Sequence, residues 1–327
     1  MKKTLIISSI ILVIAIIAFG ISVAATGVRE GTLSLAIKGG EFFGGKVMKA
    51  GDVAEYSFPQ VISNINVSTA SADTIIKLGD VTEAKVTYKT ETGGLSFKAF
   101  VEGDTLKVEE TGGFLLLFDF MGEHEAKLEI TLPQKEYNDV ELVTASGEID
   151  VEQLICDEFD SVVTSGDSEY KIFARDIDIY TTSGTVSVKN CTDRVVEKLA
   201  LSSTSGEHSV SGFKTNEYKF TTTSGVIRAD GLSGRGKADI VSGEIFLEFA
   251  EWNGDIDVDG VSGSVDMKLP ENSGVSIDLD AISGGVKVNL GDNSTYFSGE
   301  TNTSNIGGEN SHNLDVDLVS GEVYVHD

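Results

Sequence analysis

A Ser-Gly pair recurs through the C-terminal half of this chain at an almost constant interval. The serines are followed by Gly147, Gly166, Gly184, Gly206, Gly225, Gly243, Gly263, Gly284 and Gly321. Within this series of nine pairs, neighbours lie 18 to 22 residues apart, except for a last interval of 37, which is about two steps. A fixed period of this size is typical of a solenoid, in which each repeat forms one coil.

Apolar and polar residues alternate on both sides of each pair. Before Ser262, for example, Ile256 and Val258 flank Asp257. Such period-2 alternation predicts β-strands, and glycine suits the corner between them because it tolerates positive φ and close backbone approach. A period of about 19 residues is too short for a strand, a helix and two loops. The sequence therefore predicts an all-β fold, a right-handed parallel β-helix with coils about 4.8 Å apart.

The N-terminal residues 1–25 are predicted to be a short cytoplasmic tail and one transmembrane helix. Lys2 and Lys3 precede the uncharged, mostly apolar run Leu5–Ala25. That run is long enough to span a bilayer, and the positive flank favours a cytoplasmic N-terminus with the rest of the chain outside. A cleaved signal peptide is the alternative, since Ser22-Val23-Ala24 resembles a cleavage site. Either way, we expect the bulk of the chain to be extracytoplasmic, and the uncleaved helix makes it a single-pass protein of the cell membrane.

The remainder of the chain divides by pattern. Residues 26–135 contain alternating runs without the Ser-Gly mark and are predicted to be irregular β structure or first coils that cap the solenoid. Residues 136–327 hold the regular repeats. Within them, residues 291–313 are polar and rich in Gly, Asn and Ser, so they are predicted to form a loop in place of the unmarked coil.

The charge of the chain limits its partners. The net charge is −27, and it becomes −29 without Lys2 and Lys3. Such an acidic protein does not suit nucleic acid or direct binding to anionic lipid. The expected partners are the membrane, through the N-terminal anchor, and an envelope protein or a cationic partner.

Two sets of aspartates recur upstream of the later serines. One set lies three residues before the serine, at Asp239, Asp259, Asp280 and Asp317, and the other lies five before, at Asp257, Asp278 and Asp315. The alternation predicts that both sets face outward and form carboxylate columns in a parallel stack. Such columns either are a solvated acidic face that discourages lateral sheet association or bind Ca²⁺. No other cofactor is expected.

The two cysteines are predicted to be free, buried thiols. One whole coil separates Cys156 from Cys191, which places the sulfurs about 10 Å apart. A disulfide requires Cα atoms within about 7 Å.

No catalytic residues are assigned. The serines of the Ser-Gly pairs are predicted to form the corners between strands, which is a structural role. Arginine is scarce, and no Gly-x-Ser-x-Gly or His-Glu-x-x-His motif occurs. His208 falls at an inward-facing repeat position and is predicted to be structural. The apolar segment Phe114–Met121 lacks alternation; it is either a strand buried on both faces or a loop that touches a membrane or a partner.

The strings LEITLP at Leu128–Pro133 and VELVTASGEIDV at Val140–Val151, followed by recurring T-S-G and V-S-G, resemble the toastrack-type "putative adhesin" family of bacterial envelopes. A second instance is MKLP at Met267–Pro270 followed by GVSIDLDAISGGVKV. The resemblance implies a β-helical extracytoplasmic domain of unknown function, with no catalytic residues. Relatives are often associated with envelope-stress systems.

Three functions remain open from the sequence. The first is a non-enzymatic envelope protein, an adhesin-like or partner-binding β-solenoid. The second is an accessory sensor or regulator of envelope stress. The third, from another class, is a β-helix polysaccharide lyase or hydrolase. A cleft with convergent Asp and Arg side chains would favour the enzyme, and a smooth acidic face would favour binding.

Overall fold

The computed structural model describes residues 46–111, 126–308 and 310–327. Every regular element among these residues is a β-strand. The described chain divides at Val186–Ser187 into two compact units, here called the N-terminal and C-terminal units. The all-β prediction is therefore confirmed, while the predicted N-terminal helix and the segment Phe114–Met121 lie outside the described residues.

The strands that begin in the N-terminal unit are β1 (Lys46–Val47), β2 (Val53–Phe58), β3 (Asn64–Thr69), β4 (Asp73–Gly79), β5 (Ala84–Thr90), β6 (Ser96–Glu102), β7 (Thr105–Thr111), β8 (Ala126–Pro133), β9 (Tyr137–Thr144), β10 (Ile149–Val163), β11 (Ser168–Thr181) and β12 (Thr185–Asn190). Those of the C-terminal unit are β13 (Val196–Ser203), β14 (Glu207–Ser211), β15 (Thr215–Thr222), β16 (Val226–Leu232), β17 (Arg235–Ile240), β18 (Glu244–Phe249), β19 (Ile256–Gly260), β20 (Ser264–Lys268), β21 (Ser273–Leu290), β22 (Asn293–Gly307) and β23 (Asn310–His326).

The alternation of the sequence sets which side chains enter the core. In β8, for instance, Leu128, Ile130 and Leu132 are fully buried and the residues between them are more exposed. The same pattern gives each coil an apolar lining, because successive side chains of a strand point to opposite faces.

The N-terminal unit stacks its coils in an order that differs from the chain order. The coil formed by β3 and β4 pairs in parallel with β7 and β8 on one side. On its other side it pairs in parallel with β9 and β10. Beyond β7 and β8, the pairs β6–β7, β5–β8, β2–β5 and β1–β6 are antiparallel. The β3–β4 coil is thus inserted between segments that follow it in sequence.

The C-terminal unit has two faces, defined by the corner of each coil. Strands β13, β15, β17 and β19 precede their corners and pair in parallel as the first face. Strands β14, β16, β18 and β20 follow the corners and pair in parallel as the second face. Strands β21 and β23 run through their corners, so each contributes to both faces. These parallel stacks form a β-solenoid, although its handedness stays a prediction.

The last strand of the chain is inserted in the stack. Strand β23 pairs in parallel with β19 and β20 on one side and with β21 on the other. Its Ser320 and Gly321 lie opposite Ser283 and Gly284 of β21. The last strand in the chain is therefore not the last strand of the stack.

The prediction of a loop at residues 291–313 is wrong. Most of it forms β22, which pairs antiparallel with β21, and its last residues begin β23. Thr295, Tyr296 and Phe297 favour strands, and pairing with β21 satisfies backbone groups that a loop would leave to water. Asn293–Gly307 is therefore an antiparallel strand, so the sheet is mixed rather than purely parallel.

Candidate functional site

The Ser-Gly corners are stacked by backbone hydrogen bonds. The Ser165 amide donates to the Ala145 carbonyl at 3.1 Å, and the Ser242 amide donates to the Thr223 carbonyl at 2.8 Å. The Ser165 hydroxyl also donates to the Ala145 carbonyl, at 3.3 Å. Amide and hydroxyl are thus engaged with the neighbouring corner, which is a structural use and not the arrangement of a nucleophile.

Two corners show why glycine stands there. Gly184 has φ of 106°, and a Cβ at this position would lie 2.1 Å from the Gly166 carbonyl oxygen. Gly225 does not have a positive φ, but its Cβ would lie 2.9 Å from the Gly206 carbonyl oxygen. Both positions exclude a side chain, the first by conformation and contact and the second by contact alone.

The register brings the predicted aspartates together in the C-terminal unit. The inner column, in stacking order, is Asp239, Asp259, Asp317 and Asp280. The outer column is Asp257, Asp315 and Asp278. Because β23 is inserted, the columns do not follow sequence order. Glu300 and Asn302 of β22 lie opposite Asp280 and Asp278. We call these two columns the acidic ladder.

One end of the acidic ladder is neutralised by lysine. Lys237 Nζ lies 2.6 Å from Asp259 Oδ2 and 3.3 Å from Asp239 Oδ1, and Lys219 Nζ lies 3.3 Å from Asp239 Oδ2. Asp239 is in register with Asp259 as predicted, but it is buried, so the predicted solvated acidic face does not extend to it. Burial raises its pKa in spite of the two lysines.

Carboxylates crowd the rest of the ladder. Burial raises the pKa of Asp317 to about 6, with further contributions from the charges of Asp259, Asp315, Asp280 and Asp278. Burial and the neighbouring Asp257 and Asp278 also raise the pKa of Asp315. Repulsion between stacked carboxylates is therefore partly relieved by protonation below neutral pH.

A second acidic column lies in the N-terminal unit. Glu141, Asp160 and Asp178 are in register on β9, β10 and β11. Burial raises the pKa of Asp160 to about 6, followed by the charges of Glu158, Asp178 and Glu141. The sequence contains its signal, because an acidic residue stands five positions before Ser146, Ser165 and Ser183.

Calcium binding by the aspartates stays a prediction. Within residues 46–111, 126–308 and 310–327, no cluster of three or more His, Cys, Asp or Glu side chains is arranged to hold a metal ion.

His208 lies in the core, as its repeat position predicts. Its Nε2 is 2.5 Å from the buried Ser203 hydroxyl, and its Nδ1 is buried without a hydrogen-bond partner. Burial lowers the pKa of the imidazole to about 4. A neutral histidine sealed from solvent beside one serine is a packing element, since a general base must reach a substrate.

The remaining sequence predictions concern cysteines and membrane segments. Neither Cys156 nor Cys191 forms a disulfide. Cys156 is buried, but Cys191 is half-buried, so the prediction that both thiols are buried is wrong for Cys191. In the part of the chain that the structure describes, no helix is long and apolar enough to cross a membrane.

The second face of the C-terminal unit was not predicted as a site from the sequence. Phe246 and Tyr324 lie there half-buried, and Tyr296 is 52% exposed. The first two stand four residues after a Ser-Gly serine, at an outward repeat position that elsewhere is occupied by small or charged residues such as Asp150 and Ser209. An aromatic residue at this position is therefore the sequence signal for the second face. Tyr296 has no such signal, because it reaches this face only through the pairing of β22 with β21.

The fold and its surfaces define a β-solenoid whose coils are marked by Ser-Gly corners. The Toastrack DUF4097 family matches residues 62–326, and the chain belongs to that family. The resemblance predicted from the sequence is thereby confirmed. No protein of curated function matches the chain.

Several solved structures are similar to this chain. A "putative lipid binding protein" from Parabacteroides distasonis is 14% identical, with 86% of this chain and 97% of that chain covered and a TM-score of 0.47. A "putative adhesin" from the same organism is 10% identical, with 84% and 97% covered and a TM-score of 0.45. A "putative adhesin" from Bacteroides fragilis is 13% identical, with 85% and 98% covered and a TM-score of 0.40.

Proposed function

We propose that this protein is a non-enzymatic, adhesin-like binding protein of the cell envelope. Residues 1–25 anchor it in the membrane, and the solenoid lies outside the cytoplasm. Membership of the Toastrack family supports the binding role. Lys2 and Lys3 before the apolar run Leu5–Ala25 support the location.

The observation that carries the proposal is the alignment of outward side chains by parallel register. Asp257, Asp315 and Asp278 stand on three consecutive rungs, and each is exposed. A repeated surface of this kind engages an extended partner through many weak contacts, whereas an enzyme needs a few convergent groups in a concave site.

The acidic ladder favours the binding of a basic partner. Beyond Lys237, its rungs carry carboxylates without a lysine in register. A lysine-rich or arginine-rich protein segment laid along them relieves the repulsion among the carboxylates, which adds to the effect of burial in raising the pKa of Asp317. Its attraction falls steeply with ionic strength, since the carboxylates of Asp257, Asp278 and Asp315 are exposed.

The test uses the purified full-length chain in detergent and a lysine-rich peptide as the probe. One variant changes Asp257, Asp278 and Asp315 to asparagine. A control variant removes the same charge from the second face, by changing the exposed Glu207, Glu244 and Glu322 to glutamine. We expect salt-sensitive binding that the first variant weakens at least about tenfold and the control leaves nearly intact. Equal losses in both variants, or no binding at low salt, would contradict the proposed partner.

A further inference from the structure

The second face of the C-terminal unit carries a row of alternating charged and aromatic side chains. In stacking order the row is Arg228, Phe246, Asp266, Tyr324, Lys287 and Tyr296, on β16, β18, β20, β23, β21 and β22. We call it the mixed ladder. Beside it, two residues away on each strand, runs a polar row: Asp230, Glu248, Lys268, His326, Asn289 and Ser294.

Contacts within these rows hold the aromatic groups in place. The Arg228 guanidinium lies 4.4 Å from the Phe246 ring centroid, and Lys287 Nζ lies 5.2 Å from that of Tyr324. The rings of Tyr324 and His326 are stacked with centroids 4.9 Å apart. Such contacts order the side chains before any ligand arrives, which lowers the entropic cost of binding.

Hydrogen-bonding groups surround Tyr324. Asn289 Nδ2 donates to the Tyr324 hydroxyl at 2.8 Å, and His326 Nε2 lies 2.9 Å from Asp266 Oδ1. Both Asp266 and Asn289 remain partly exposed and keep lone pairs or amide hydrogens for another partner. The platform therefore combines flat apolar rings with neutral and charged groups able to bind hydroxyls.

The charges of the two rows balance, unlike those of the chain. Their cations are Arg228, Lys268 and Lys287, and their carboxylates are Asp230, Glu248 and Asp266. Lys268 and Glu248 are themselves paired at 2.6 Å. In a protein with a net charge of −27, this balance favours an uncharged ligand over a basic one.

We propose that the mixed ladder binds an uncharged, extended polysaccharide that runs along the stacking direction. A sugar ring presents C–H faces that pack on aromatic rings and hydroxyls that pair with carboxylate, amide and imidazole groups. Phe246, Tyr324 and Tyr296 stand on alternate rungs, roughly 9.6 Å apart. A β-1,4-linked glycan in its extended form repeats every two sugars over a similar length, so alternate sugars meet successive rings.

The test is calorimetric titration of the full-length chain in detergent with cellohexaose, chitohexaose and maltohexaose. The first two are extended β-1,4 chains, and the third is a coiled α-1,4 chain. We expect saturable binding of at least one β-1,4 hexamer and weaker binding of maltohexaose. Tyr324→Ala and Tyr296→Ala should each weaken binding at least about tenfold, while Tyr324→Phe, which keeps the ring, should weaken it less.

The matched control is Tyr180→Ala, which removes a half-buried tyrosine from the N-terminal unit. It should leave saccharide binding unchanged. If Tyr324→Ala lowers the melting temperature, Tyr296→Ala decides, because that side chain is 52% exposed. Absence of binding to both β-1,4 hexamers, equal binding of maltohexaose, or binding that survives Tyr296→Ala would overturn the inference. The inference rests on the proposed binding role, yet this titration can fail while the peptide test succeeds, so the two failures are distinguishable.

Discussion

At the scale of single residues, the core contains one side chain whose protonation opposes folding. His208 pairs in register with Ile227 on β16, and the equivalent position holds an aliphatic side chain in most other coils. Its Nδ1 has no hydrogen-bond partner and its pKa is lowered to about 4 by burial. Between about pH 6.5 and 4, His208 is therefore protonated in the unfolded chain but neutral in the folded protein.

We predict that His208→Val makes folding less sensitive to acid. In the parent, the contribution of His208 to stability is intact above about pH 6.5 and falls as the pH drops towards 4, by an order of 2–3 kcal/mol. Urea unfolding at pH 7.5, 6 and 4.5 measures it. The difference between variant and parent should grow in the variant's favour as the pH falls. A difference that is constant across these pH values would contradict the account of His208.

The corner glycines give a second prediction at this scale. Gly184→Val and Gly225→Val should each destabilise by more than about 1 kcal/mol, because the new side chain meets the carbonyl oxygen of a neighbouring corner. Thr185→Val, at an exposed strand position, is the control and should have little effect. Unchanged urea midpoints for both glycine variants would show that the corners tolerate a side chain.

At the scale of elements, the corner between β3 and β4 uses a side-chain carboxylate as the hydrogen-bond acceptor for its backbone amides. In other corners the amides donate to a neighbouring corner, but the amides of Ala70, Ser71 and Ala72 all donate to Glu110 Oε2, at 2.9 to 3.1 Å. Glu110 Oε1 accepts the Tyr88 hydroxyl at 2.9 Å. This buried carboxylate, from β7, therefore terminates the stack of corners at β3–β4.

Removal of that carboxylate should be costly. We predict that Glu110→Ala destabilises by about 3 kcal/mol or more, because three amides and a hydroxyl lose their acceptor in a buried place. Glu109→Ala is the control: Glu109 pairs with Lys98 at a partly exposed site and should cost about 1 kcal/mol or less. Chemical unfolding of the three proteins compares them. Similar losses for both variants would show that the corner does not depend on Glu110.

The acidic ladder supplies the prediction for the inserted strand β23. Asp317 lies between Asp259 and Asp280, and its raised pKa means that ionisation disfavours the folded state. Its contribution to stability is present below about pH 4 and is lost as the pH rises through about 6. Asp317→Asn should thus stabilise the protein at pH 7.5 by about 1 kcal/mol after screening by solvent, and by almost nothing at pH 3.5.

Melting temperatures at these two pH values measure the effect, with Asp292→Asn in an exposed turn as the control. If Asp317→Asn stabilised the protein equally at both pH values, or if Asp292→Asn stabilised it as much, repulsion among the stacked carboxylates would not be the cause.

At the scale of the whole molecule, the sequence predicts what each coil looks like but not where it stacks. Alternation and Ser-Gly spacing are local, and they predicted strands and corners. The insertion of β3–β4 and of β23 depends on which coil edges pair, and the similar segments around Ser262, Ser283 and Ser320 fit one another in more than one order.

Non-local contacts explain the other differences between sequence and structure. The strand β22 was missed because its polar composition is typical of a loop, while its partner β21 provides the missing hydrogen bonds. Gly236 carries no mark in the sequence, yet a Cβ there would lie 1.9 Å from the Tyr218 ring, which is in register with it on β15. The mixed ladder requires the register of six strands and was therefore not visible as a site.

Our central proposal is that this Toastrack protein is anchored by its N-terminus and displays its solenoid outside the cytoplasm. Treatment of intact cells with a protease, followed by mass spectrometry of released and membrane-retained peptides, tests it most directly. We predict that peptides from residues 46–327 are released while a peptide from residues 1–25 stays with the membrane. Protection of residues 46–327 until the cells are lysed, or a mature N-terminus near Ala25, would contradict the claim.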